Sequence, residues 1–265
     1  MEQQIFIPKV SIITVCLNCY KTIASTMESI FRQTYGNTEC IVIDGNSKDG
    51  TLEYLESVEK KLSVLISEPD NGIYDAMNKG ARLATGDYII FMNAGDRFVN
   101  HHVLERVMTN TKVLQTRPKI ISGRVQFEHK GELLNKFRPS TPGKEGMGLP
   151  HQGTFIDVGL QKENPFCEWI KYVGDYELWR RLQSKSLFDV FYIDETVSVF
   201  SLGGISTSSK YDAKRYLERA YIDYLYSNKF GITDFLKLFF KVSMRKISFL
   251  FLGNKNVFIL LRFVK

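Results

Sequence analysis

Four short apolar runs, rich in β-branched residues and separated by helical patterns, constrain this chain more than any other feature. They are Val10–Val15, Cys40–Asp44, Leu62–Ile66 and Tyr88–Met92. Each has the length and composition of a strand buried on both faces of a parallel sheet. Between them, Thr22–Gln33 places Ile23, Met27, Ile30 and Phe31 on one side of a helix. Thr51 stands where it can cap a second helix carrying Leu52, Leu55 and Val58. Ile73, Ala76, Met77, Gly80 and Ala84 then recur at helical spacing until Gly86 stops the pattern. Parallel strands need crossover helices, so this alternation predicts a doubly wound α/β sheet. A chain of 265 residues, 44% hydrophobic, suits one large domain with an appendage, divided here at 1–209 and 210–265.

Open α/β sheets take ligands beyond the carboxyl ends of their strands, and two of these strands lead into carboxylates there. One ends in Asp44, before the turn Gly45–Gly50; the other runs into Asn93-Ala-Gly-Asp96. No G-x-G-x-x-G follows the first strand, which argues against a dinucleotide dehydrogenase. Cys16 and Cys19 spell C-x-x-C, yet neither a second pair nor a nearby histidine completes a zinc site, and the four cysteines read as incidental thiols of a reducing cytosol.

Further on, His101–Leu114 reads as a helix, Lys119–Phe127 and Leu133–Phe137 as strands, and Pro139–Pro150 as a mobile loop leading to His151-Gln152. Asp175 opens a helix over 174–182, where the helix dipole favours a carboxylate. Glu177 is its local competitor but lies on another face. Phe188–Ile193 and Thr196–Phe200 are expected as two more strands of a mixed sheet.

Ala76-Met-Asn78-Lys-Gly80 on a helix, followed by a strand ending in Asn93-Ala-Gly-Asp96, resembles the nucleotide-sugar site of family-2 glycosyltransferases, over about residues 8–205. That resemblance implies the GT-A fold and transfer of a sugar from a nucleoside diphosphate, UDP by default, to a glycan or lipid-linked saccharide in surface polysaccharide synthesis. It also implies roles for single residues: Thr14 and Asp44 at the base, Asn18, Asp70 and Asn78 around the donor, Asp96 as ligand to Mn²⁺ or Mg²⁺, and His151 near donor or acceptor. Asn93 replaces the family's first acid and is expected at ribose or phosphate. Asp175 matches the family's catalytic base, although Gly174 replaces the usual preceding Glu, and a single base of this kind implies inversion at the anomeric carbon. Gly203–Ser206 resembles a loop near the diphosphate.

The charge is uneven. From Lys210 onward 12 Lys and Arg face 4 Asp and Glu, a net of about +8, whereas the rest of the chain is near neutral and offers no basic face to nucleic acid. Tyr211–Ser227 reads as a helix, and Ile232–Gly253 and Val257–Val264 mix large apolar residues with Lys and Arg. None of these runs is long enough to span a bilayer. With no secretory signal at Met1–Gln4, the expectation is a cytoplasmic protein lying peripherally on the anionic inner face of the cell membrane. The plainer reading of the tail is packing on the catalytic part or on a second subunit, as a homodimer. A non-catalytic, membrane-docked scaffold that binds nucleotide sugar is the other functional reading. Nucleotidyl transfer lacks its Gly- and Lys-rich triphosphate loop.

Overall fold

A computed structural model describes residues 6–129, 131–140, 148–202 and 211–227. Residues 141–147 of the loop expected over Pro139–Pro150, Gly203–Ser206 and the tail beyond 227 lie outside the described residues. The first half alternates as the sequence implies: β1 (Val10–Cys16), α1 (Tyr20–Phe31), β2 (Thr38–Asp44), α2 (Thr51–Ser57), β3 (Val64–Ser67), α3 (Ile73–Leu83) and β4 (Tyr88–Phe91). The second half adds β5 (Arg97–Phe98), α4 (Val103–Met108), α5 (Thr111–Thr116), β6 (Ile120–His129), β7 (Glu132–Phe137), β8 (Thr154–Asp157), α6 (Val158–Glu163), α7 (Gly174–Ser184), β9 (Val190–Ser201) and α8 (Asp212–Ser227).

The strands form one sheet in the order β3-β2-β1-β4-β8-β6-β9-β5, with β7 paired to β6. Strands β1 to β4 are mutually parallel, β8 runs against β4 and β6, and β9 runs parallel to β6. The sheet is therefore mixed and mostly parallel. Strand direction sorts the side chains. Val10, Ile12 and Cys16 face a core with Ile23, Met27 and Ile30 of α1, Leu55 of α2 and Val103 and Val107 of α4. Ile13 and Val15 face the opposite core with Ala76 and Met77 of α3, Leu160 of α6 and Trp179 of α7. Both faces are covered, so the near-continuous apolar runs follow.

Three local expectations are corrected. The helix over 101–114 is two helices, because the side chain of Asn110 accepts the backbone N–H groups of Lys112 and Val113 and starts α5 afresh. The two strands over 188–200 are one, β9, whose register against β6 slips between Ser122 and Arg124. Thr51 does not cap α2: Asp49 Oδ1 accepts its N–H and hydroxyl, and its Oγ1 accepts Cys19 N–H at 2.8 Å. Beyond these, α8 packs on the body through α7. Tyr176 donates to Asp223 at 2.5 Å, Tyr226 to Glu177 at 2.6 Å, and the Arg219 guanidinium sits 4.3 Å from the Tyr176 ring centre. Among the described residues no helix is long and apolar enough to cross a membrane.

Candidate active site

In this order, β1 lies between β2 and β4, so the chain reverses direction across the sheet there and opens a crevice at the carboxyl ends of these strands. Two groups of polar side chains collect at that end. The first knits the loops after β1, β2 and β3. Cys16, Asp44 and Ser67 are level in register. Asp44 accepts Ser47 N–H at 2.9 Å, the Ser47 and Ser67 hydroxyls, and the Cys16 thiol. Burial pushes its carboxyl up, but these donors outweigh burial and hold it below the ordinary Asp value. Burial and the Asp44 charge push the Cys16 thiol far up, which makes it a donor and not a nucleophile. Asn18, left-handed at φ 50°, donates its N–H to Ser47 and accepts Lys48 N–H at 2.9 Å, and is exposed. Asp70 accepts Gly72 N–H at 2.8 Å at the entry to α3.

The second group forms around one imidazole. His151, in the short turn before β8, lies 3.2 Å through Nε2 from Asn93 Nδ2 and 3.4 Å through Nδ1 from Asp175 Oδ2. A neutral ring with its proton on Nδ1 satisfies both contacts, donating to Asp175 and accepting from Asn93. Burial disfavours the imidazolium, yet Asp175 and then Asp96 outweigh burial and raise its pKa. Asp96 is 5% exposed, and burial pushes its carboxyl up to about 7, against the pull that His151 exerts when its ring is protonated. Its loop is stapled by Thr26 of α1, which accepts Gly95 N–H at 3.0 Å and donates to the Asp96 carbonyl at 2.7 Å. Asn93 Oδ1 is buried without a hydrogen-bond partner.

Asp175 stands at the first turn of α7 with Oδ1 accepting Tyr176 N–H at 2.8 Å. Both of its oxygens are thus oriented, and the side chain remains 28% exposed. Just before it, Gly174 N–H donates to the Tyr74 hydroxyl at 2.8 Å. A Cβ at 174 would meet the Tyr74 ring at 2.7 Å, so glycine at this position follows from the ring beneath it. Glu177 points elsewhere, into the seam with α8, paired with Arg181 at 2.9 Å. Tyr74 also lines a cleft of about 220 Å³ with Glu168, Lys171 and Tyr172, which none of Asn93, Asp96, His151 or Asp175 reaches.

Asn93, His151 and Asp175 therefore meet, although 82 residues separate the first from the last in sequence, and Asp96 lies near enough for its charge to act on His151. Thr14, Asp44 and Asn78 do not join them, and each of the three makes hydrogen bonds within the protein. Thr14 is fully buried and donates to Met92 O at 2.9 Å, and Asp44 has no exposed surface. Asn78 clamps the chain at Phe166, donating to its carbonyl at 2.9 Å and accepting its N–H at 2.8 Å, while Gly80 lets α3 approach Ile13. Thr26 and Tyr74 escape a sequence reading: Thr26 is a lone polar residue on an apolar helix face, and Tyr74 has the pattern of a core residue.

A cation is a reasonable fit to the second group on two observations: a buried carboxylate without a fixed positive partner, and an orphaned amide oxygen three residues away. Among the described residues no set of three or more His, Cys, Asp and Glu side chains forms a complete cage, so such an ion would take most of its ligands from elsewhere.

The comparisons with known proteins point the same way. The glycosyltransferase Rv1514c of Mycobacterium tuberculosis, itself uncharacterized, is 40% identical over 102 residues, 38% of this chain and 39% of its own. The chain thus spans about two fifths of that relative. WfgD of Escherichia coli, a UDP-Glc:alpha-D-GlcNAc-diphosphoundecaprenol beta-1,3-glucosyltransferase, is 26% identical over 64% of this chain and 68% of its own. In fold, the chain is similar to the mannosyltransferase PcManGT of Pyrobaculum calidifontis, solved with GDP-Man and Mn²⁺, at a TM-score of 0.62 and 15% identity over 97% of this chain and 79% of that one. The sequence profile of glycosyl transferase family 2 matches residues 11–160, more than half of the chain, and with the mixed sheet and its acidic carboxyl edge this makes the protein a member of glycosyl transferase family 2.

Proposed function

We propose that this protein moves a sugar from a nucleoside-diphosphate donor, UDP-linked by default, to a hydroxyl of a glycan or lipid-linked saccharide, with inversion at the anomeric carbon, in surface polysaccharide or glycolipid synthesis. The observation that carries the reading is the convergence of the Asn93–Asp96 loop and the start of α7 on His151. The nucleotide lies over the network around Asp44, with Asn18 and Asp70 as its accessible side chains. Asp96 and Asn93 Oδ1 would hold Mn²⁺ or Mg²⁺, and the charge such an ion supplies would offset that developing on the diphosphate leaving group. A relative named for a UDP-glucose donor and a neighbour solved with GDP-Man and Mn²⁺ support donor and ion alike.

Asp175 Oδ2 takes the proton of the acceptor hydroxyl as its oxygen attacks the anomeric carbon and the bond to the diphosphate breaks. His151 fixes the orientation of that carboxylate from one side and Tyr176 N–H from the other. One displacement inverts the centre. The basic, apolar residues beyond 227 keep the enzyme peripherally on the anionic inner face of the membrane, beside lipid-linked acceptors. In Asp175→Asn, isothermal titration should find donor affinity within about threefold of the parent while turnover falls by about a thousandfold. Retained turnover would overturn the assignment, and absence of transfer by the parent across donors and lipid-linked acceptors would favour the scaffold.

A further inference from the structure

Helix α8 is built inside out. Its acids turn away from the outer face: Glu218 accepts Lys171 N–H and Tyr172 N–H at 2.9 Å each, Asp223 binds Tyr176, and Asp212, paired with Arg215 of the same helix, is buried. Ile222 is its fully buried apolar contact. The opposite face carries Lys214, Leu217, Tyr221, Tyr224 and Leu225, which share one stripe at helical spacing. Leu217 is 58% exposed, Tyr221 47%, Tyr224 54% and Leu225 41%. Beside the stripe stands Trp169, 55% exposed, with its ring edge-on to Tyr221 at 5.6 Å. A helix that spends its charges inward and shows leucine and aromatic rings outward is ordered for something that covers the outer face.

We propose that this stripe, with Trp169, is the surface that seats the protein in the headgroup region of an anionic bilayer. The chemistry selects lipid over a protein partner on three counts. Tyr and Trp, the residues of membrane interfaces, make up three of the five exposed hydrophobic positions. The stripe holds no carboxylate, and its one charge is Lys214. The chain continues from its end into residues 228–265, where 8 Lys and Arg accompany a single Asp. A helix lying in the interface plane buries such a stripe while flanking cations meet the anionic headgroups. The inference rests on the membrane reading above but not on the transferase chemistry, and it extends the contact from the tail onto the folded body. That fixes which side of the domain faces the bilayer.

Intrinsic fluorescence reads this directly, because the chain has 2 tryptophans and the other, Trp179, is 2% exposed in the core. Full-length protein is mixed with vesicles of phosphatidylcholine containing phosphatidylglycerol, with and without brominated acyl chains, and bound protein is measured by sedimentation. Binding should blue-shift the emission, and brominated lipid should quench it, with the quenching lost in Trp169→Phe. Leu217→Ser combined with Tyr221→Ser should weaken partitioning by about tenfold at an unchanged melting temperature. Vesicle binding without quenching of Trp169 would overturn the proposal while leaving the tail as the membrane anchor. No vesicle binding would overturn both. Self-association in solution abolished by the same double variant would assign the stripe to a second copy instead.

Discussion

At the residue scale, His151 is held between an amide and a carboxylate, and the residues on either side of it are asked to do different work. Asp96 is buried with an unfavourable charge state, a condition that a divalent cation relieves. Asp96→Ala should therefore weaken donor binding by tenfold or more in Mn²⁺ and change it little in a chelator, a difference that titration calorimetry measures. Equal affinities in the parent with and without Mn²⁺ would show that the ion is not recruited through this carboxylate. Residue types and order marked Asn93, Asp96 and Asp175 in the sequence. What sequence could not convey is that His151 lies between them, because the contacts span 58 and 24 residues. The same limit hid the internal partners of Asp44 and Thr14: nothing in the sequence says that Ser47 and Ser67 donate to the first and that the second donates to the Met92 carbonyl.

At the scale of elements, α3 shows how a motif read for its chemistry can serve packing. Gly80 admits Ile13, and Asn78 satisfies both backbone groups of Phe166, whose ring packs on Tyr74 and Phe91 at 5.3 Å. Asn78→Ala would leave a buried N–H and carbonyl without partners, costing about 2–3 kcal/mol. Chemical denaturation should record that loss, with the denaturant slope unchanged; a loss below about 0.5 kcal/mol would mean that the segment at 166 is held by other contacts. The parallel half of the sheet was legible because each of its strands is a dense apolar run. Strand β8, four residues long, and β5, two residues long, carry too little pattern to announce themselves, and they exist because neighbours on the sheet supply their bonds. The break before α5 was legible in principle, since Asn is a strong helix starter, but its apolar spacing matched one continuous helix.

For the whole molecule, one carboxylate ties the amino-terminal edge of the sheet together. Glu39 accepts Lys9 Nζ at 2.8 Å, the Ser11 hydroxyl at 2.5 Å, and the Thr85 N–H and hydroxyl at 2.6 Å each, joining β2, β1 and the turn before β4. Burial opposes its charge, but these donors outweigh burial and lower its pKa to about 2. A carboxyl depressed in the folded state contributes stability that is full above its unfolded value, near 4.5, and is lost as pH falls toward about 2. Glu39→Gln should accordingly lower stability by about 2 kcal/mol at pH 7 and narrow its gap to the parent between pH 4.5 and 2. A gap independent of pH in thermal melts would exclude ionisation as the cause.

The fit of Gly174 against Tyr74 has an evolutionary corollary. The two positions, 100 residues apart, cannot drift separately: a side chain at the first displaces the ring at the other. Across relatives that share this helix start, homologues bearing Glu or another bulky residue at the place of Gly174 should bear something smaller than tyrosine at the place of Tyr74, so that the pair covaries as a unit.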